Sequence, residues 1–245
     1  MPILSVTHLS LTLNSQQILK NVTFSVEQGE VIGLIGPNGS GKTTLFNVLS
    51  GFLKPTSGVM HFRDADITSV SPAQRARLGI GRVFQNFGIF REMTLEENVL
   101  VALEALPKEQ RMLLGSIKDA VKGTLDMVGL SHHAKKKAGS LSGGQMRLLE
   151  IARTLKSGKE LFLLDEPTAG VSPKMTRQVA DLIGELKKEG KTVLIIEHDL
   201  PFISQICDRV LVLDVGEVVL SGAPREIKHD KKLQEIYFGA DAAPY

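Results

Sequence analysis

The hydrophobic pattern of this chain is dominated by short unbroken apolar runs that each stop at a glycine or an acidic residue. Val31 to Ile35 stops at Gly36, Leu161 to Leu164 at Asp165, and Thr192 to Ile196 at Glu197. A strand with one wet face alternates apolar and polar residues, so runs without alternation predict strands buried on both faces, as in a parallel sheet. Helical stretches separate them. Lys42 to about Gly51 follows the first run, and Ser71-Pro72 opens a helix with a serine cap and a proline in the first turn. Gly144 to Lys156, Ser172 to Glu189 (Ser172 as cap, Pro173 as first helical residue) and Leu200 to Cys207 follow. Gly81 to Gln85 reads as a further strand ending on a polar residue.

Two regions depart from this alternation. From Ile3 to Val26 short runs (Leu9 to Leu13, Val22 to Val26) flank the polar turn Asn14-Ser15-Gln16-Gln17, and Val59 to Phe62 follows another turn, which predicts an antiparallel β edge. From about Asn86 to Ser140 helical periodicity takes over, through Met93, Leu95, Val99, Leu100 and Leu103, then Ile117, Val121, Leu125 and Val128. That predicts a helical subdomain at 86–140, running on into the next helix to about 156, inserted into a core made of 1–85 and 141–245. Arg209 to Asp214 and Glu217 to Ser221 complete the pattern as a hairpin around Val215-Gly216. The fold class is α/β, with a mainly parallel sheet whose ligands sit at the carboxyl ends of the strands.

Composition narrows the function without choosing it. A net charge of +2 gives no electrostatic reason to expect nucleic acid as partner. Lys135-Lys136-Lys137 reads as a solvated face. The one cysteine, Cys207, excludes an intrachain disulfide and a multi-cysteine zinc site; it reads as a small buried hydrophobe in a reducing compartment. No apolar run approaches the ~20 residues that a membrane helix needs, and MPILSVTHLS lacks a signal-peptide pattern. The expectation is a soluble, cytoplasmic protein that reaches a membrane through partners.

The candidate chemistry begins at Gly36-Pro37-Asn38-Gly39-Ser40-Gly41-Lys42-Thr43-Thr44, a phosphate-binding loop between the first buried strand and the first helix. Gly36, Gly39 and Gly41 admit positive φ and close approach of backbone N–H groups to a phosphate. The helix N-terminus points at the same anion. Lys42 is placed to reach the β- and γ-phosphates and the Thr43 hydroxyl to ligate Mg²⁺. Asp165, rigid at a strand tip, suits Mg²⁺ capture, and the adjacent Glu166 suits polarising an attacking water. His198, after the next buried run, is placed to donate to γ-phosphate oxygens. Leu141-Ser142-Gly143-Gly144-Gln145 precedes a helix and forms a second anion-binding surface. One γ-phosphate and two such surfaces per chain point to a head-to-tail C₂ dimer with each nucleotide between the loop of one copy and the LSGGQ of the other.

With these motifs in order along the whole length, the chain is identified as a member of the ATP-binding-cassette (ABC) ATPases. The resemblance assigns Walker A to Gly36–Thr44, the Q-loop to Gln85, the signature to Leu141–Gln145, Walker B to Leu161–Asp165 with Glu166, the D-loop to about Ala169–Ser172 and the H-loop to His198. It implies ATP and Mg²⁺ as nucleotide and metal, with Glu166, His198, Gln85 and Lys42 catalytic and Thr43, Gln85 and Asp165 around the metal. It also implies a second ATPase subunit, identical or paralogous, integral-membrane permease subunits and a periplasmic binding protein reached through the permease, with the chain itself peripheral on the cytoplasmic face of the cell membrane. GIGRVFQN, Phe90-Arg91-Glu92-Met93-Thr94, Glu197-His198-Asp199 and Ile236-Tyr237-Phe238-Gly239 resemble ATPases of branched-chain amino-acid importers. Lipopolysaccharide-export ATPases share much of this, and soluble non-transport ABC ATPases are the alternative of a different class. Within the importer reading, Asn86 to Val99, with Phe87, Ile89, Phe90 and Met93, is the expected permease-docking segment. Three positions depart from the family pattern: Ser172 replaces the usual D-loop aspartate, Lys156 to Glu160 replaces an apolar approach to Walker B, and Leu13 stands where an aromatic residue usually stacks on adenine.

Overall fold

The computed structural model describes residues 2–84 and 88–238; Gln85, Asn86 and Phe87 lie outside the described residues. The chain opens as a hairpin, β1 (Pro2–Leu13) and β2 (Gln16–Glu27), followed by β3 (Val31–Ile35), α1 (Lys42–Leu49), β4 (Ser57–Phe62) and β5 (Ala65–Asp66). Next come α2 (Pro72–Leu78), β6 (Ile80–Val83), α3 (Leu95–Glu104), α4 (Lys108–Met112), α5 (Ile117–Met127) and α6 (Gly143–Leu155). The remainder alternates β7 (Leu161–Asp165), α7 (Pro173–Lys188), β8 (Thr192–Ile196), α8 (Leu200–Ile206), β9 (Arg209–Asp214) and β10 (Glu217–Gly222), and closes with α9 (Pro224–Lys228) and α10 (Lys231–Phe238). The sequence pattern does not mark the last two helices, nor the two-residue β5.

A six-stranded sheet runs in the order β10-β9-β3-β8-β7-β6, and a four-stranded antiparallel sheet in the order β2-β1-β4-β5. Ladders β3·β8, β3·β9, β6·β7 and β7·β8 are parallel, and only β10 is antiparallel to its neighbour. The unbroken apolar runs are explained by two cores, one on each face of the large sheet. Val31, Ile35, Phe162, Leu164, Val193 and Ile195 face a layer built from α6, α7 and α8. Their sequence neighbours Ile32, Leu34, Leu161, Leu163, Leu194 and Ile196 face α1 and the small sheet. Side chains therefore alternate with the period of two, but both faces are apolar because both are covered.

Between β6 and α6 the described chain forms helices and turns, apart from a single bridge between Thr94 and Lys137. Leu95, Val99, Leu103, Leu125 and Val128 are buried, as their spacing predicts. Met93 is not: it precedes the Thr94 cap of α3 and is exposed, because the capping box with Glu97 starts the helix after it. Lys135, Lys136 and Lys137 are solvent-facing, and Cys207 is buried. Among the described residues no helix is long and apolar enough to cross a membrane.

One buried charge joins α1 to α2. Arg75 is almost wholly enclosed, and it donates to the carbonyls of Val48 (2.6 Å) and Leu49 (2.7 Å) at the end of α1. It also donates to Ile67 (2.6 Å) and Val70 (2.9 Å) in the loop before α2. Helix ends leave carbonyls without intrahelical partners, and a forked guanidinium satisfies several at once. Burial pulls its pKa down to about 10, so it stays charged at neutral pH. Arg75→Met should cost at least about 2 kcal/mol, since it strips the guanidinium from the Leu49 and Val70 carbonyls while those of Val48 and Ile67 keep a backbone donor, and each orphaned buried carbonyl costs about 1–3 kcal/mol. Arg77→Met on the exposed side of α2 should stay within about 0.5 kcal/mol. Equilibrium urea unfolding of the two variants is the check, and equal midpoints would remove the role given to Arg75.

Candidate functional site

The phosphate loop leaves β3 at Ile35 and enters α1 at Lys42. Gly36 has φ +151°, and a methyl group on it would collide with the Leu213 carbonyl, so no other residue fits. Gly41 caps α1 with φ +107° and no side-chain bond to the first turn, which leaves the helix's leading N–H groups free to meet an anion. Lys42 arches back over the loop, its Nζ donating to the carbonyls of Gly36 (2.8 Å) and Pro37 (2.9 Å). Burial pulls its ammonium below the ordinary lysine value, while Glu166 and Asp165 push it back up. Ser40 Oγ is buried with no hydrogen bond from the described residues, a polar atom awaiting a ligand. Asn38, Gly39 and Thr43 are exposed, whereas Pro37 and Thr44 are half-buried.

The carboxylates stand two strands away on the same edge. Asp165 ends β7 and is buried, and its Oδ2 receives a bond from Arg82 Nη2 on β6 at 3.2 Å. Burial raises its pKa, and the Arg82 guanidinium opposes the rise. Glu166 takes φ +47°, an uncommon conformation for a non-glycine residue that turns the chain sharply off the strand. Its Oε1 lies 3.0 Å from His198 Nε2, beyond β8. The buried Glu197 locks this corner. It accepts from the N–H and hydroxyl of Thr168 (2.8 and 2.6 Å) with one oxygen and from the His198 N–H (3.2 Å) with the other.

The LSGGQ segment has a mixed disposition. Ser142 caps α6 in a reciprocal box with Gln145, accepting from its N–H at 3.3 Å while Gln145 Oε1 accepts from the Ser142 N–H at 3.0 Å. Ser142 and Gly143 are exposed. Leu141 is buried in the core, and Gly144 packs against Met175 of α7. Ser172 caps α7, as its pairing with Pro173 predicts. Leu13 is exposed at the far end of β1, while Leu19 and Ile18 on the paired β2 pack against Gly41.

The structure thus brings together the phosphate loop, Asp165, Glu166 and His198, whereas Ser142 and Gly143 point outward on a separate helix. Gln85 lies outside the described residues, and so do Asn86 and Phe87 of the expected docking segment. Ile89 of that segment is buried in the core and is withdrawn as a docking residue, because Leu95 and the neighbouring helices already cover it. Phe90 and Met93 are exposed. Sequence reasoning quoted Arg82, Glu197 and Tyr237 only within runs that resemble the family and gave none of them a role. An acid directly after an apolar strand is a usable signal for Glu197. Nothing local marks the other two, whose partners are distant in sequence.

A family profile described as ABC transporter matches residues 19–169. The chain is 37% identical to the high-affinity branched-chain amino acid transport ATP-binding protein LivG of Salmonella typhimurium, over 97% of this chain and 98% of that one. It is 40% identical to a probable LivG of Methanocaldococcus jannaschii, over 90% and 91% of the two chains. Among solved structures, the ADP conformation of an ATP-binding cassette of an ABC transporter superposes with TM-score 0.85 at 36% identity, covering 98% of this chain and 99% of that one. A dimeric post-hydrolysis cassette bound to ADP and Pi gives TM-score 0.78 at 28% identity, covering 91% and 99%.

Tyr237 on α10 closes the site from behind, its hydroxyl accepting from the Gly36 N–H at 2.9 Å. The C-terminal helix is therefore fastened to the first residue of the phosphate loop, and burial raises the phenol's pKa. Tyr237→Phe keeps the ring and removes the acceptor. A neutral hydrogen bond contributes about 0.5–1.5 kcal/mol, so the Gly36 amide should exchange with solvent roughly three- to tenfold faster. Native-state hydrogen exchange at Gly36 measures this, and an unchanged rate would mean that the contact does not protect the loop.

Proposed function

This chain belongs to the ABC transporter family as an ATP-binding, ATP-hydrolysing subunit, and we propose that it drives import of branched-chain amino acids or similar small solutes. The observation that carries the catalytic part is the convergence of Lys42, Asp165, Glu166 and His198 on the strand ends beside the phosphate loop. The names of the 35–40% identical relatives, all branched-chain amino acid transport ATP-binding proteins, support the solute class.

In this reading Lys42 exchanges its bonds to the Gly36 and Pro37 carbonyls for β- and γ-phosphate oxygens, and the uncapped N–H groups of α1 bind the same charge. Leu13 adds apolar contact to the base. The Thr43 hydroxyl and the Asp165 carboxylate fit a hard, oxygen-seeking cation, and Gln85 joins them on the family pattern. Mg²⁺ held there would neutralise phosphate charge. Glu166 takes the proton of the attacking water as the water oxygen bonds to the γ-phosphorus and the bond to the ADP oxygen breaks. His198 donates through Nε2, orienting the Glu166 carboxylate in the resting site and a γ-phosphate oxygen when ATP is present. Ser142 and Gly143, exposed at the start of α6, serve the nucleotide of a second copy placed head to tail.

The permease seat is a groove of about 390 Å³ between the core and the helices, lined among others by Phe52, Phe84, Phe90, Val101 and Arg153. Its aromatic residues are exposed, and its position next to β6 puts an occupant beside the strand that leads to Gln85. Such docking places the chain on the cytoplasmic face of the membrane.

Glu166→Gln keeps the side chain's size and removes the base. Turnover should fall by roughly 10²–10⁴ while ATP binding persists, and an ATP-bound dimer should accumulate in size exclusion. Near-normal hydrolysis would exclude Glu166 as the base. For the solute, the subunit reconstituted with its permease in proteoliposomes should hydrolyse ATP several-fold faster when a binding protein loaded with leucine, isoleucine or valine is enclosed. Equal rates with and without those amino acids would overturn the import reading.

A further inference from the structure

Arg82 touches several separate parts of this site. It lies on β6 beside β7, in register with Leu163, and its side chain is 7% exposed. One arm, Nη2, reaches Asp165 Oδ2 at 3.2 Å. The other, Nη1, reaches Asn47 Oδ1 and Ser50 Oγ, each at 2.7 Å, on and just after α1. The same guanidinium lies 4.8 Å from the centroid of the Phe84 ring and 5.8 Å from that of Phe52. Those rings meet edge to face at 5.6 Å, and both line the groove between the core and the helices.

The chemistry of the fork explains why arginine suits this position. The strand tip fixes the backbone of Asp165, but its carboxylate still turns about its own side-chain bonds, and α1, which carries Thr43 in its first turn, is a separate element. A planar guanidinium that bonds both at once fixes their separation, which a single ammonium cannot do. Its flat faces meanwhile accept aromatic rings, so a shift of Phe84 or Phe52 moves the plane to which Asp165 is bonded. We propose that Arg82 is a positioning residue that holds Asp165 in register with α1 for divalent cation and joins that carboxylate to the aromatic wall of the groove. This rests on the reading of Asp165 as a cation ligand and of the groove as the permease seat.

The test is made in a Glu166→Gln background, so that no turnover intervenes. ATP affinity is titrated calorimetrically in Mg²⁺ and in EDTA, and the ratio is the gain that the cation brings. Arg82→Met should cut that gain about tenfold or more, with the affinity in EDTA kept within about twofold of the parent. Arg82→Lys should recover only part of it, because one ammonium cannot span Asp165, Asn47 and Ser50. Asn47→Ala, which removes one arm and leaves the arginine in place, should cut the gain about threefold and serves if Arg82→Met does not fold. A gain unchanged in the Arg82 variants, or in Asn47→Ala where only that variant folds, overturns the proposal. A loss of equal size in EDTA also overturns it, since that is what general damage to the fold would give. Asp165→Asn separates the two readings: if it leaves the gain unchanged, it is the assignment of Asp165 to the cation that has failed. For the groove, Phe84→Leu in the reconstituted complex should lower permease-stimulated kcat at least threefold while the complex still co-purifies. Unchanged stimulation would overturn the link to the groove.

Discussion

The level ends of four neighbouring strands are the constraint on which the site depends. Leu34 of β3 pairs with Ile196 of β8, Ile196 with Asp165 of β7, and Leu164 of β7 with Val83 of β6. Parallel ladders space adjacent strands about 4.8 Å apart, so the residue that ends one strand has fixed neighbours on the next. Gly36, Glu197 with His198, and Asp165 with Glu166 come together because their strands stop together. A register slip of one residue would turn Asp165 to the other face of the sheet and separate it from Arg82.

Burying so much charge at one edge is tolerable because every charge has partners. Lys42 sits on the carbonyls of Gly36 and Pro37, and Arg82 holds Asp165. Helix α6 extends the network. Arg147 donates to the Phe84 carbonyl and pairs with Glu150 at 3.0 Å, Glu150 accepts from the Gly88 N–H at 2.9 Å, and Arg153 donates to the Gly88 carbonyl. Burial raises the pKa of Glu150, and these donors oppose the rise. One helix therefore starts at the outward-facing Ser142 and Gly143, and grips the chain on both sides of residues 85–87 further along. Helix α6 is thus tied to Phe84 and Gly88 by hydrogen bonds as well as by the packing of Leu148, Leu149 and Ile151.

Packing complements this electrostatic frame. Helix α1 lies between the small sheet and the large one, with Leu45, Phe46, Val48 and Leu49 buried among residues of both. The loop at its start is thereby held from two sides: by Leu19 and Ile18 of the hairpin near Gly41, and by Tyr237 at Gly36. A phosphate cradle must be in place before its ligand arrives for its N–H groups to be worth their full strength, because any reorganisation would be subtracted from binding.

The local signals in the sequence were enough to determine the alternation of buried strands and helices, the phosphate loop, the serine caps at Ser71 and Ser172, and the acids that follow β7 and β8; β5, the last two helices and the capping role of Ser142 came from the structure. Each is written in a few adjacent residues: an apolar run, a glycine spacing, a serine cap three residues before the N–H that it accepts from. Met93 is exposed although it falls on the helical spacing, because the Thr94–Glu97 box starts the helix after it, and the burial of Ile89 depends on helices that arrive later in the chain. Tertiary structure alone decided that Arg82 reaches Asp165, that Arg75 serves carbonyls 26 and 27 residues away, and that Tyr237 meets a glycine 201 residues earlier. Period and propensity are set by neighbours along the chain, whereas a hydrogen-bond partner is set by distance in space, and that exists only once the two cores have closed around the sheet.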